Sequence, residues 1–513
     1  MAMNRRADTL PPSLMYVIGI DIGTQGTKTL VFDLEKAAVI AQSSQSYGMI
    51  EGLPEGHREQ EPWLWIKAVD HTVKDCLKQL GAAVSRVAAI GVSGQQHGLV
   101  VLDAQNSIIR PAKLRCDTST SDQCDEISRA FGGTPGLIEL AGNPILPGYT
   151  APKILWLKQN EPQNFQRIET ILLPHDFINY WLTGVKRMEP GDASGTGFFD
   201  VRNRRWCREI IDFIDPGLHQ VLPDIGSSLD VLGPIRPELA DAWGMGRDVV
   251  VSAGGGDNMM GAIGTGNVSN GQVTVSLGTS GTVFGVHHQP LIDPRGEVAA
   301  FCDSTGKWLP LVCTMNATVV TDAVRGHYGW GFERMEQEVA ATPMGANGLM
   351  MLPYLQGERT PSLPDGCGVI HGLNVNNFKP ANMMRAAMEG VSLSLGYGMM
   401  RLCELGVEPT SVRITGGGAK SAVWRQMISD VFGLPLVGLK TDEGAALGAA
   451  LQAAVSFFRH SREDLSYEEI ISYAVVPDPE TSCEPDEARH AFYQDFLAKQ
   501  QYLVETLHIP GFL

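Results

Sequence analysis

The chain has 513 residues, 43% hydrophobic and 19% charged, which is the make-up of an ordinary folded protein too long for one hydrophobic core. Its formal net charge of −17 argues against a general nucleic-acid binder, which needs a basic surface to displace counterions. Nine cysteines, an odd number with no CxxC pair, argue against a disulfide framework or a structural zinc site and suit a reducing cytoplasm. Arg5 and Arg6 invite a twin-arginine export reading, but no apolar segment follows them, and no apolar run is long enough to span a bilayer. The expectation is a cytoplasmic protein without a membrane or nucleic-acid partner.

Tyr16 to Asp33 reads as strand, glycine-threonine turn, strand, with Gly23 and Gly26 in the turn and Leu30 to Phe32 resuming the strand. Glycines let backbone N–H groups approach a phosphate, while Thr24 and Thr27 add hydroxyls and Lys28 a positive charge. Asp21, at the strand end, would repel a phosphate unless Mg²⁺ bridged the two. The plain alternative is a hairpin with a surface Asp. Glu61-Pro62-Trp63 opens a helix to about Leu80, with Trp63, Ile66, Val69 and Val73 on its apolar face. Val87 to Val92 is a buried strand ending in Ser93-Gly94-Gln95-Gln96-His97-Gly98, and Leu99 to Leu102 follows. Gln95, Gln96 and His97 between glycines suit a polyol or sugar. Asp117 or Ser119 is expected to cap the helix after Pro111 to Cys124, with sugar contact as the alternative. Gly148 to Asn160 starts a helix, Ile171 to Leu173 is a strand, and Pro174 opens a helix to about Thr183. Glu189 to Asp200 reads as a glycine-rich loop entering a strand.

The pattern then repeats. Val249 to Ala253 is a strand, Gly254 to Gly256 a tight turn, and Asp257 a helix start. Gln272 to Val286 again reads strand, Gly278-Thr279-Ser280-Gly281-Thr282, strand. Two such hairpins half a chain apart predict two related domains, 1–265 and 266–513, facing one cleft and each offering a phosphate loop. A third cluster, Thr415 to Ser421, follows the strand Val412 to Ile414 and opens a helix carrying Trp424 and Met427; a tight connection without a ligand is its plain alternative. Gly444 to Ala454 is a small-residue helix able to pack closely on another backbone, and Asp486 is placed to cap a closing helix from about Glu487.

Neither a Walker A loop nor a G-x-G-x-x-G turn is present, so the paired hairpins carry the nucleotide signal. Phosphoryl transfer needs a base, a metal and phosphate-cradling donors. Asp257, a carboxylate at a helix start, suits the base, with a simple N-cap as the alternative.

From about Tyr16 to Ala454 the chain resembles the FGGY carbohydrate kinases. GYTAPKILWLKQN (Gly148 to Asn160) fits the first family signature and GVIHGLNVNNFKPANMMRAAME (Gly368 to Glu389) the second. DIGTQGTK, SGQQHG, GGGDN, SLGTSGT, PYLQGERTP, GGGAKS and EGAALGAAL appear in the family's order. The resemblance implies an α/β fold of two ribonuclease-H-like domains, as in actin and hexokinase, around an interdomain cleft. It implies Asp257 as catalytic base, and Gln96, His97, Asp257 and Asn258 around the sugar. Asp21 would lie near Mg²⁺, Thr24 and Lys28 in the first phosphate loop, Gly278 and Thr279 in the second, and Gly417, Gly418 and Ala419 at the adenosine. The implied reaction is ATP-dependent phosphorylation of a terminal hydroxyl, O5 of D-xylulose, with a small sugar as partner and a homodimer left open. Ribulose, erythritol or glycerol are alternative acceptors, and an actin- or chaperone-like nucleotide switch is the alternative of another class. The chain departs from the family at Gln96, where many relatives have Met, and at Arg115, where many have an aromatic residue.

Overall fold

The first hairpin forms as its residues dictate. In the computed structural model of the chain, strands β1 (Tyr16–Ile22) and β2 (Gly26–Asp33) pair antiparallel, Ile22 opposite Thr27. The structure describes residues 15–441, 444–462, 465–509 and 511–513; Arg5, Arg6 and Glu443 lie outside them. The described residues group into two units. One is drawn from Met1–Val268, Ala300–Leu309 and Glu443–Val475, the other from Ser269–Ala299, Pro310–Asp442 and Val476–Leu513. Both units are discontinuous in sequence, where a single cut at 265/266 was expected.

The first unit's sheet adds β3 (Ala38–Ser46), β4 (Val87–Gly94), β5 (Val231–Pro234), β6 (Val250–Ser252) and β7 (Gly255–Gly256), in the order β5-β6-β4-β1-β2-β3 with β7 also on β4. β1, β4, β6 and β7 run parallel, and a strand so enclosed reads as a nearly continuous apolar run, as Tyr16 to Ile20 does. Alternation puts Ile18, Ile20 and Ile22 on one face, packed with Trp65, Val69 and Val73 of the Pro62–Leu80 helix. Trp63 belongs outside that face: it is exposed, with the Lys67 ammonium over its ring. On the other face a Cβ at Gly19 or Gly91 would overlap the carbonyls of Ala446 and Ala449, and one at Gly264 the carbonyl of Gly444. The small-residue helix, Gly444–His460, therefore lies directly against backbone, as its composition predicts.

A further core in this unit gathers Leu99, Val101, Ile154, Leu157, Ile171 and Phe198, with the helix Thr150–Asn160 packed into it. Two expectations change here. Glu189 to Asp200 is not only a loop: Pro190–Ala193 is a helical turn whose first N–H groups, Gly191 and Asp192, donate to the Glu189 carboxylate at 2.8 and 2.5 Å. Neither Asp117 nor Ser119 caps the helix Ser121–Ala130, because Thr120 holds the N-cap position with no side-chain bond.

The second unit's sheet holds β8 (Gln272–Leu277), β9 (Gly281–Gly285), β10 (Trp308–Thr314), β11 (Ser411–Thr415) and β12 (Leu436–Gly438), in the order β10-β9-β8-β11-β12. As in the first unit, an antiparallel meander comes first and later strands add in parallel, although the first unit also carries an antiparallel edge strand, β5 on β6. The helices Pro380–Glu404 and Ala422–Phe432 bury Met388, Leu395, Trp424 and Ile428 in its core. The closing helix, Glu487–His508, is capped by Asp486 accepting the Arg489 N–H at 2.9 Å. All nine cysteines are free, and no described helix is long and apolar enough to cross a membrane.

Candidate active site

In the first unit the parallel strands bring the charged candidates into one row. Asp21 is in register with Ser93 of β4, and Ser93 with Gly255 of β7, two residues before Asp257. These are the carboxyl ends of neighbouring parallel strands, where ligand sites of such sheets form. Ser93 Oγ donates to Asp21 Oδ1 at 2.8 Å, and Lys28 faces Asp21 across the hairpin. The turn is braced from below: Gly23 N–H donates to Gly26 O at 2.9 Å and Tyr47 Oη to Gly23 O at 2.8 Å. Thr24 Oγ1 donates to Gln95 Oε1 at 3.0 Å, and Gln60 joins them through Thr24 O (2.7 Å) and Gln95 Nε2 (3.2 Å). Gln95 is fully buried in this brace rather than facing a sugar.

Asp257 is the first residue of the helix Asp257–Gly264, and the N-cap position falls to Gly256. Its Oδ1 accepts Asn258 N–H (2.9 Å) and Nδ2 (3.2 Å), and Asn258 Nδ2 also donates to Gln96 Oε1 at 2.7 Å. Its Oδ2 accepts Arg115 Nη1 at 3.2 Å. Gln96 is 1% exposed, and its Nε2 has no partner among the described residues, so a buried donor stands ready for an acceptor beside Asn258. A Cβ on Gly256 would press on the Gln96 side chain at 2.7 Å, which explains a glycine there.

His97 has a left-handed backbone (φ 64°), and its ring lies against Tyr149, centroids 4.8 Å apart. Lys153 Nζ donates to His97 O and Gly148 O, each at 2.6 Å. Burial pushes the Lys153 ammonium down to about 7. Under Asp257, Gln452 holds the triglycine turn, accepting Gly254 N–H at 2.9 Å and donating to Gly254 O at 2.8 Å, while Asn179 Nδ2 donates to Ala253 O at 2.7 Å. His175 is fully buried between Asp192 (Nδ1–Oδ2 2.7 Å) and Asp176 (Nε2–Oδ1 2.9 Å). Burial alone would lower the imidazole; the two carboxylates outweigh it and hold it well above its usual value.

His57, Glu59 and Asp117 are spaced to hold a metal ion, but a cation of the chain sits among them. Lys113 Nζ lies 3.2 Å from His57 Nδ1 and Glu59 Oε1 and 3.1 Å from Asp117 Oδ2. Asp117 is thereby committed to a buried ion pair rather than to a cap or a sugar.

The second unit gathers its own candidates at one sheet end. Ser276 and Thr415 are in register on β8 and β11, so the Gly278-Thr279 turn and the Gly417-Gly418-Ala419 turn follow neighbouring strands. Gly278 O and Thr279 O accept the Thr318 and Ala317 N–H groups at 3.0 and 3.1 Å. Gly416 (φ 92°) lies so close to β8 that a Cβ would meet Leu277 O at 2.6 Å, whereas one on Gly417 would meet nothing within 4 Å.

Sequence reading did not single out Ser93, Lys153, Gln452 or Asn179. Lys153 sits inside the Gly148 to Asn160 signature and Gln452 inside the Gly444 to Ala454 small-residue helix; Asn179 carries no local signal.

Known proteins match this arrangement over nearly its whole length. Residues 16–264 match the model for the N-terminal domain of the FGGY family of carbohydrate kinases, and residues 273–457 the model for its C-terminal domain. Xylulose kinase of Haemophilus influenzae is 44% identical over 445 residues, 86% of this chain and 90% of the relative. Xylulose kinase of Escherichia coli is 35% identical over 492 residues, 94% of this chain and 96% of the relative. The crystal structure of xylulose kinase from Bifidobacterium adolescentis superposes with a TM-score of 0.80 at 30% identity, covering 94% of this chain and 99% of that one.

Proposed function

The chain belongs to the FGGY family of carbohydrate kinases, with that family's two-domain, actin- and hexokinase-like fold, and we propose that it transfers the γ-phosphate of ATP to O5 of D-xylulose. The relatives above, named for xylulose, support the acceptor. The observation that carries the reading is the constellation Asp257, Asn258 and Gln96 at the end of β4, one strand from Asp21.

Asn258 fixes Asp257 Oδ1, leaving Oδ2 as the oxygen that takes the proton of the attacking hydroxyl. Gln96 Nε2 and the His97 turn, pinned by Lys153, orient the sugar. In the second unit the bare backbone at Gly278, Thr279 and Gly417 to Ala419 offers itself to a nucleotide; in the first, Thr24 and Lys28 offer a hydroxyl and a positive charge to phosphate. The donor set at Asp21, one carboxylate at a strand end beside the Ser93 hydroxyl, fits Mg²⁺, which binds through one or two carboxylates, phosphate oxygens and waters. Such an ion would neutralise phosphate charge. The nine unpaired cysteines support a cytoplasmic location.

The test is a panel of xylulose, ribulose, erythritol and glycerol at saturating Mg-ATP, read by coupled ADP release. Xylulose should give the highest kcat/KM; a clear preference for a non-ketopentose overturns the acceptor, and ATP hydrolysis indifferent to every sugar overturns the kinase reading. Asp257→Ala should lower kcat by about 10²–10⁴-fold, while sugar binding by calorimetry persists.

A further inference from the structure

Arg115 occupies the oxygen that the proposed reaction needs. Its Nη1 lies 3.2 Å from Asp257 Oδ2, while Asp257 Oδ1 already takes two donors from Asn258. A carboxylate oxygen offers about two lone-pair sites. Oδ1 is therefore filled, and whatever brings a proton to Asp257 competes with the guanidinium at Oδ2.

The two ends of Arg115 are held very differently. Its main chain sits between Lys113 and Asp117, whose buried ion pair anchors the segment, and a Cβ on Gly148 would overlap the Arg115 carbonyl. Its side chain is 44% exposed, and that of Asp257 23%. A charged arm on a fixed base, paired in partial contact with water, makes a weak bond that another donor displaces readily.

We propose that Arg115 is a positioning residue that latches Asp257 until the acceptor hydroxyl displaces it, and so restrains the use of water as acceptor. The inference rests on the kinase reading above. In the restrained side reaction, a water oxygen bonds to the γ-phosphorus as the bridging P–O bond breaks. ADP leaves with the bond's electrons, and the proton passes to Asp257. A sugar that also contacts Gln96 and Asn258 has more to gain from opening the latch than a lone water has. The latch thus discriminates by the number of contacts the acceptor makes, and its low strength keeps it from obstructing the sugar.

The full-length protein, wild type, Arg115→Gln, Arg115→Lys and Arg115→Gln/Asp257→Asn, is assayed for phosphate release from Mg-ATP without sugar and for sugar phosphorylation. Circular dichroism and the thermal midpoint check folding. The ratio of hydrolysis to phosphorylation should rise about two- to fivefold in Arg115→Gln, as befits an exposed ion pair. It should rise less in Arg115→Lys, and the added hydrolysis should vanish in the double variant. An unchanged or lower ratio in a folded Arg115→Gln protein overturns the latch while leaving the kinase reading intact. Added hydrolysis that survives loss of Asp257 also overturns the latch, because it would not pass through that base. A wild-type protein that phosphorylates no sugar in the panel overturns the kinase reading and the latch with it.

Discussion

The two glycine-threonine hairpins use the same turn residues in the same strand order, yet they build corners of different chemistry. In the first unit the turn lies between Asp21 and Lys28; the matching positions of the second are Ser276 and Val283. Ile22 pairs with Thr27 around four residues, whereas Leu277 pairs with Gly281 around three. Since side chains alternate faces, that one-residue difference re-aims every side chain after the turn. The following parallel strands diverge too: β4 ends in amides, Gln95 and Gln96, and β11 in three glycines. One topology thus supplies a corner of charges and side-chain hydrogen bonds and a corner of bare backbone.

If the second corner works through backbone, filling it is costly where chain meets chain. Gly416→Val should destabilise the second unit by about 3 kcal/mol through its positive φ and the clash with Leu277, measured by urea denaturation. The first corner should break instead by removing a side chain. Gln452→Ala strands the buried N–H and C=O of Gly254 and should cost about 2 kcal/mol, with kcat falling more than sugar KM rises. An ionisable corner should also announce itself in pH dependence. The unfolded chain keeps the Lys153 proton up to about 10.5 and the folded chain only up to about 7, so folding releases a proton between those values. Stability relative to Lys153→Met should therefore rise with pH across that window, by at most about 1.4 kcal/mol per pH unit; a flat difference would return Lys153 to the charged state. Smallest of all, Gly417→Ala should shift stability by less than about 0.5 kcal/mol, and its effect should appear as a raised KM for ATP.

What the sequence discloses follows how local each cause is. Pro62 at a first turn and 3.6-residue spacing define the Pro62–Leu80 helix to its ends, and three glycines before Asp257 mark its helix start. Trp63 escapes that reading, since an aromatic at the edge of an apolar stripe packs equally well under a lysine stem. Contacts between distant residues are silent. Arg115 and Asp257 stand 142 positions apart, and Gln452 reaches Gly254 over 198. Asp117 looked like a cap because its partner Lys113 reads as an ordinary surface lysine until burial is known.

The helix Gly444–His460 closes a sheet whose strands are all encoded before Val268. A ribosome adding about 5–20 residues per second needs roughly 10–40 s to supply it. Through that interval the nascent chain presents a bare furrow along Gly19 and Gly91, shaped for one helix and open to any other apolar segment. The first unit cannot reach its native form during synthesis until the residues up to His460 have been made.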